Sequence, residues 1–538
     1  MSINVCNSLR NLLSCFILQF ELFLPFLRNI ICQLSIPAIM TKNRTFGQTR
    51  REFIQTTGMV AAGITLAPQL LQATTPPAPL ALMKRRFGRT GFEVTTFGLG
   101  GQASIQWTPE GIDPVAIILK AYHMGVNYFD TSNYYGPSQT HFGTAFRQLG
   151  LAAGQPNYDK TKREAIFLTS KTGLRFAKGG DDRKEVHGGT NGPAGSKTLD
   201  DVRRTLTQVF GDGKGYYPPE AYLDMVLIHT LHSIEEVDAV YEGYHHPDPN
   251  ATTIGALAAL RDVRDGTNRT GLNPKKEKLI RHVGFSGHYN AAAMTEMIQR
   301  DSENLLDGML VAINANDKLN FNMQHNVIPV AAAKDMAIIT MKVFADGAMY
   351  TKKAEWSNKK EHVVLQVSDP EMPAEYLVRY SLTTPGIHTA IIGIGKISDN
   401  PAECQLTQDI LAAQVRPESM TIAQREAVEQ MAAKVKEGKT NYFQLPYQEI
   451  TAPREATVAL KGKEAIVSWQ TSFAGDAPIA QYEVWRDGEK VATIPFAPQT
   501  SKTPITFADK LGGKTPKHYL VKALDTKNRE AATQLLTV

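Results

Sequence analysis

Cysteine is scarce where it would matter. Of four cysteines in 538 residues, Cys6, Cys15 and Cys32 fall in the first stretch and Cys404 stands alone in the body, which excludes a disulfide framework and a cysteine-ligated zinc or iron–sulfur centre. An excess of one charge is missing too. The net charge of +5 is small for this length, and no basic stripe interleaved with aromatics offers a nucleic-acid surface. Residues 1–39 are apolar but interrupted by Glu21, Pro25 and Arg28, which spoils the span of about 20 residues that crossing a membrane needs. His232, His245 and His246 have no cysteine or carboxylate at a ligand-like helical spacing, so no metal is expected. What remains, 42% hydrophobic and 21% charged, is ordinary for a globular protein with room for more than one domain.

Against these absences stands one stretch around which the chain is organised, Gly125-Val126-Asn127-Tyr128-Phe129-Asp130-Thr131-Ser132-Asn133-Tyr134-Tyr135-Gly136. A short apolar strand runs into an acid, and a tyrosine follows beside a glycine that suits a sharp turn. Two later strand-like runs end comparably: Ala165 to Ser170 leads into Lys171, and Asp224 to Ile228 leads into His229. Eight such runs alternate with helical patterns, namely Val94–Gly100, Val126–Asp130, Ala165–Ser170, Met225–His229, His282–Gly287, Met309–Asn314, Ala337–Phe344 and Thr389–Gly395. That alternation predicts an α/β (β/α)8 TIM barrel, whose strand ends converge on one face. Helices are expected at Ala331–Ala337, Pro373–Ser381 and Thr421–Gly438. The connections 173–197, 232–253 and 346–373 follow strand ends and belong to that same face.

An acid, a phenol, an ammonium and an imidazole on one rim form a unit that can protonate a carbonyl oxygen. A free phenol with pKa about 10 is a poor donor, and a neighbouring ammonium is expected to lower it. These residues resemble the aldo/keto reductase family: Phe129-Asp130-Thr131 with Tyr135-Gly136, Thr169-Ser170-Lys171-Thr172, and Asp224 with His229. The resemblance implies a catalytic set of Asp130, Tyr135, Lys171 and His229, with hydride coming from a nicotinamide cofactor. Periodicity alone does not choose between Tyr134 and Tyr135; the family spacing selects Tyr135. It further implies cofactor contacts at Gly100, Ser286, Asn314, Phe344, Gly393, Gly395 and Lys396, with NADP as the family's default and NAD as the alternative. This chain departs from the pattern where Gly287 replaces an asparagine, Met341 a stacking tyrosine and Asp346 a glycine, and where the arginine-asparagine signature is missing beyond Lys396.

The remaining segments set the domain plan. Residues 1–39 read as an upstream segment from an early start, with a membrane anchor as the rival. Residues 40–73, with Thr49-Arg50-Arg51-Glu52-Phe53-Ile54 before a small-residue apolar run, resemble a twin-arginine signal. This implies a periplasmic or otherwise exported protein, handled by the twin-arginine machinery and left without a stable anchor. A linker (74–83) leads to the barrel (84–440), and a second linker (441–452) to a region (453–538) of period-two strands that resembles a fibronectin type III module, a small all-β immunoglobulin-like sandwich. Its strands are expected at Thr457–Leu460, Ala465–Trp469, Gln481–Trp485, Lys490–Ile494, Thr506–Ala508, His518–Ala523 and Thr533–Val538. The expected activity is hydride transfer between a nicotinamide and a small carbonyl, alcohol or sugar-like substrate. The alternative is a non-catalytic barrel that binds a sugar or another ligand.

Overall fold

The computed structural model describes residues 81–538 apart from 187 and 514. The leader and export readings, and most of the 74–83 linker, lie outside the described residues.

Eight parallel strands close into a barrel: β1 (Phe97–Gly100), β2 (Tyr128–Asp130), β3 (Phe167–Thr172), β4 (Leu223–Ile228), β5 (Ile280–Gly287), β6 (Leu306–Ala312), β7 (Ala337–Met341) and β8 (Thr389–Ile392). Neighbours in sequence are neighbours in the sheet, and β8 pairs with β1 to complete the ring. Strand alternation divides the side chains between two cores. Tyr128, Phe167, Met225, Leu227, Leu310, Ile339 and Met341 fill the lumen. Phe129, Leu168, Val226, Ile228 and Val311 face the outer helices. The floor is closed by a hairpin, Lys84–Arg86 with Glu93–Thr95, which inserts Phe87 edge-on against Tyr128 and Phe167 at centroid distances of 5.5 and 5.2 Å. The run Val94–Gly100 is therefore the end of a hairpin followed by a barrel strand, separated at Thr96.

The helices differ from the sequence expectation at their ends. The helix before β7 covers Val327–Ala333 rather than Ala331–Ala337, because Ala337 opens the strand. Ala374–Leu382 lies where Pro373–Ser381 was expected. The single helix expected over Thr421–Gly438 stops at Lys434, and Lys436 and Glu437 turn left-handed with φ of 49° and 54°. That turn lets the Lys436 ammonium donate to the Tyr350 carbonyl at 2.6 Å.

The C-terminal region is antiparallel. One sheet orders β9 (Arg454–Lys461), β10 (Glu464–Gln470) and β13 (Ile505–Lys510). The other orders β12 (Glu489–Pro495), β11 (Ile479–Arg486), β14 (His518–Asp525) and β15 (Glu530–Ala532), with β16 (Leu536–Thr537) also on β14. The last run expected as one strand, Thr533–Val538, is thus a break followed by a two-residue strand. Val467 and Trp469 of the first sheet pack with Tyr482, Val484, Tyr519 and Val521 of the second. The Asp487-Gly488 turn between β11 and β12 has both residues at positive φ, 50° and 87°, as a two-residue hairpin requires.

The segment 441–452, expected as a linker, is pinned along the barrel. Phe321 donates its amide to the Leu445 carbonyl (2.8 Å) and Gln444 donates to Asp317 (2.6 Å). Beyond it, Asn326 exchanges two hydrogen bonds with the backbone of Ala474 (2.7 and 3.1 Å), and Gln299 donates to the Gln499 carbonyl (2.8 Å). The β-rich region is therefore docked on the barrel through buried amides, each of which would be costly to leave unpaired.

Candidate active site

Period-two alternation carries the lumen up to its rim. Tyr128 points inward, so Asp130 does; Phe167 points inward, so Lys171 does; Leu227 points inward, so His229 follows. The Lys171 ammonium is fully buried and donates to Asp130, to the Thr131 carbonyl at 2.9 Å and to the Tyr135 hydroxyl at 3.4 Å. Its three protons are thereby all engaged. The His229 ring meets Tyr135 edge-on at 5.6 Å, and its Nδ1 lies 3.2 Å from the Ser132 hydroxyl. The structure thus brings Asp130, Tyr135, Lys171 and His229 together. It also separates the two tyrosines: Tyr135 is 8% exposed and touches the lysine, whereas Tyr134 is 54% exposed and packs on the 173–197 connection at Gly189.

Electrostatics follow from burial. Desolvation pushes the Asp130 carboxyl up against the pull of Lys171, and pushes the Lys171 ammonium down against the pull of Asp130. The Tyr135 phenol is raised well above its ordinary value, first by burial and then by the carboxylates of Asp130 and Asp346. This corrects the expectation that Lys171 lowers it: the ammonium is already neutralised by Asp130, so the phenol faces an ion pair in a dry setting. His229 is held well below its ordinary value by burial and by the positive charge of Lys171, so its ring is neutral and carries one donor proton.

A cavity opens beside Tyr135 at the carboxyl ends of β1, β2, β7 and β8. Its floor includes Gly100, Met341 and Gly393, and its walls include Trp107, Phe344 and Tyr350. The connection 346–373 roofs it with Val363, Val364 and Val367. Of the expected cofactor residues, Gly100, Phe344 and Gly393 line this space, whereas Ser286, Asn314, Gly395 and Lys396 do not. Ser286 accepts from the Thr230 amide at 2.8 Å. Asn314 donates to the Lys342 carbonyl and accepts from the Asn316 amide, both at 3.0 Å. A Cβ on Gly287 would meet the Met294 sulfur at 2.3 Å, so the family's asparagine there would require the Met294 side chain to move aside. The amides of Gly395 and Lys396 both donate to the Gln405 side-chain oxygen, at 2.7 and 2.9 Å.

Gln405 also donates to the carbonyls of Val364 (3.0 Å) and Gln366 (2.7 Å), clamping the roof to the end of β8. The fit is so close that a Cβ on Gly395 would lie 2.2 Å from the Val364 oxygen. Two buried polar groups, Tyr350 and Asp409, line the same space. Burial and the carboxylates of Asp409 and Asp369 raise the Tyr350 phenol, against a weaker pull from the Ser368 hydroxyl, and burial raises the Asp409 carboxyl to about 8. Buried polar groups along a largely apolar cavity suit a ligand that carries polar groups of its own. The lining at Gly100, Phe344 and Gly393 fits a nicotinamide dinucleotide, whereas Lys396 does not line the cavity.

Sequence reasoning missed the second charged cluster of the site. Lys342 lies 3.5 Å from Asp346 and 4.8 Å over the Trp356 ring, and Asp346 accepts from the Tyr442 hydroxyl at 2.7 Å. Lys342, Ala345 and Asp346 all have positive φ, 61°, 49° and 59°, the kind of backbone strain that gathers at ligand sites. The motif departure at Asp346 was the available signal. For Asp409 it was an acid on the apolar stripe Leu406, Asp409, Ile410 of a helix. Glu236, four residues after His232, is a carboxylate at helical spacing that the sequence reading passed over; it lies 3.3 Å from His232 and 2.9 Å from Arg175. Asp224, part of the motif, sits at the other end of β4 in a buried pair with Arg163 at 2.8 Å.

A profile of the aldo/keto reductase family matches residues 96–400. A Schizosaccharomyces pombe protein named as a voltage-gated potassium channel beta subunit is 29% identical over 170 residues, covering 28% of this chain and 47% of that one. The chain thus spans about half the length of that curated relative. Among solved structures, an aldo-keto reductase from Pseudomonas aeruginosa is 22% identical with a TM-score of 0.37, covering 62% of this chain and 95% of the other. One from Bacillus halodurans, in its holo form, is 16% identical with a TM-score of 0.40 and coverages of 65% and 96%. One from Klebsiella pneumoniae in complex with NADPH is 15% identical with a TM-score of 0.39 and coverages of 66% and 96%. The matched profile takes in more than half of the chain and all four rim residues, and the chain belongs to the aldo/keto reductase family.

Proposed function

We propose that this protein is a nicotinamide-dependent oxidoreductase acting on a carbonyl or alcohol, with Tyr135 as its proton donor. The single observation that carries the reading is the contact of the buried Tyr135 hydroxyl with the Lys171–Asp130 pair, beside His229 and at the wall of one cavity. A bound nicotinamide would supply or accept the hydride. Tyr135 keeps its proton across the working range, so it enters the reaction as an acid. It gives that proton to the carbonyl oxygen as negative charge develops there, and takes it back in the reverse direction. Lys171 fixes the phenol oxygen and stabilises the phenolate that proton transfer leaves behind. Neutral His229 offers one N–H to the same oxygen and orients it. Gly100, Phe344 and Gly393 would hold the nucleotide along the cavity.

The aromatic cluster of Trp356, Tyr442, Phe443 and His288, joined to the cavity lining through Lys342 over the Trp356 ring, supports a substrate with an apolar or sugar-like face. Trp356 remains 49% exposed. For the β-rich region, we propose a fibronectin type III-like sandwich. Its split of three strands in one sheet and the rest in the other supports this reading. Export through the twin-arginine route is proposed from Arg50, Arg51 and the run after them alone.

The test is turnover: purified protein incubated with NADH or NADPH and a panel of aldehydes, ketones and oxidised sugars, followed by loss of the reduced nicotinamide. Consumption that depends on a carbonyl supports the reading. Nucleotide binding without consumption by any carbonyl, or of any oxidised nucleotide by alcohols, would favour a ligand-binding barrel.

A further inference from the structure

The connection 471–478, between β10 and β11, holds two other parts of the chain at once. On one side it meets the barrel: fully buried Asn322 donates to the Gly475 carbonyl at 2.7 Å, and Asn326 pairs with both the amide and the carbonyl of Ala474. On the other it meets the segment 441–452. The Asp476 amide donates to the Gln448 carbonyl at 3.1 Å, the Phe473 amide to the Thr451 hydroxyl at 2.7 Å, and the Thr451 amide to the Phe473 carbonyl at 2.9 Å. The approach is so close that a Cβ on Gly475 would lie 2.0 Å from the Gln448 oxygen. The barrel's own hold on this segment is shared as well, since Phe321, which donates to Leu445, packs edge-on against Phe473 at 5.3 Å.

The other end of the segment reaches the cavity. Tyr442 donates to Asp346 at 2.7 Å, and Asp346 also accepts from the Ser357 amide at 3.0 Å and faces Lys342 at 3.5 Å. Lys342, Asp346 and Ser357 line the cavity together with Tyr135. Tyr442 meets the Trp356 ring edge-on at 5.4 Å, and buried Phe443 packs on Trp356 and His288 at 6.2 and 6.1 Å. A path of hydrogen bonds and ring contacts thus runs from the β-rich region, along 441–451, into the roof.

From this continuity we infer that the β-rich region is a working part of the site: through residues 471–478 it positions Tyr442 and Phe443, and through them the stretch 346–357 that lines the cavity. Asn322, Asn326 and Gly475 are positioning residues that act through Tyr442. With the β-rich region loosened, the roof is in its closed arrangement for a smaller fraction of the time, and a ligand in the cavity is held less tightly in proportion. The roof's dependence on the β-rich region follows from the contacts alone; its effect on nucleotide rests on the oxidoreductase reading above.

Hydrogen exchange and nucleotide binding, measured on the whole protein, test the two parts. Asn322→Ala/Asn326→Ala loosens the barrel side of the connection, and Gly475→Ala pushes it off Gln448 while leaving the barrel's side chains untouched. In either variant the Ser357 amide should exchange about 10-fold faster or more, with the lumen strands at Phe129 and Leu168 unchanged. NADH or NADPH, whichever the wild type binds, should bind about 10-fold more weakly by nicotinamide fluorescence. Tyr442→Phe should do the same alone and add little on top of either variant, because effects on one path do not add. Unchanged Ser357 exchange in both docking variants overturns the inference, and so do fully additive effects with Tyr442→Phe. Faster exchange with unchanged nucleotide affinity overturns the role of the β-rich region in the site. A wild type that binds neither nucleotide overturns the oxidoreductase reading instead, and Ser357 exchange still decides whether the β-rich region holds the roof.

Discussion

Tyr135 and Lys171 show how a buried charge is kept useful. The ammonium is tolerable in the lumen only because Asp130 and the Thr131 carbonyl meet it, and removing one member of such a pair costs about 3–5 kcal/mol by leaving the other unpaired. Lys171→Met should therefore lower both stability and turnover. Lys171→Met/Asp130→Leu should restore most of the melting temperature while turnover stays down by about 100-fold or more, the scale of a lost transition-state contact. Recovery of both in the double variant would reduce Lys171 to a structural role. The identity of these residues was legible in the sequence because period-two alternation puts every second side chain of a strand into the lumen. Their protonation was not, because burial and a carboxylate from a distant loop, Asp346, set the Tyr135 phenol.

At the scale of elements, eight strands alternating with helices were readable because each carries its own local pattern of apolar residues. The roof was less so. Its contacts join Val364 and Gln366 to Gln405, some forty positions away, and nothing local in Asp346–Pro373 announces them. The expected phosphate lysine failed for the same reason: Gln405, one turn before Asp409, occupies the amides that the loop would offer. Gln405→Ala leaves two amides and two carbonyls to find new partners, at about 1–3 kcal/mol for each group that stays buried. Hydrogen exchange at Gly395 and Lys396 should accelerate, and bound nucleotide should leave about 10-fold faster or more, since a roof that opens gates release. Unchanged exchange and release would mean that the roof is held by its valines alone.

Taken whole, the chain from the floor hairpin to the docked β-rich region should respond to pH through groups that burial has shifted. Asp201, Asp317 and Asp409 are raised to about 6, 7 and 8. Each binds its proton more tightly folded than unfolded, so its contribution is greatest in acid and is lost as pH rises from the unfolded value through the folded one. His325 and His388 are lowered to about 3 and 4 by burial. Their contribution is complete above the ordinary histidine value and is lost as pH falls. Between pH about 7.5 and 8.5 the histidines are neutral folded and unfolded alike while Asp409, and to a lesser extent Asp317, still lose protons, and stability should fall by about 1 kcal/mol. Melting temperatures across that window check this. A flat or rising profile would contradict the assignment, and Asp409→Asn should make the fall shallower. Asp317 holds Gln444 of the segment leading into the β-rich region, so that docking is coupled to the same window.

The claim on which the rest depends is that Tyr135, not its exposed neighbour, gives the proton. The most direct measurement compares kcat/KM for carbonyl reduction in Tyr135→Phe and Tyr134→Phe proteins, with nucleotide affinity measured alongside. Tyr135→Phe should lose about 100-fold or more in kcat/KM with nucleotide affinity nearly unchanged, as removal of a positioned acid requires, whereas Tyr134→Phe should stay within about 3-fold of wild type, as a side chain outside that acid's role should. Full turnover by Tyr135→Phe, or a large loss confined to Tyr134→Phe, would contradict the account.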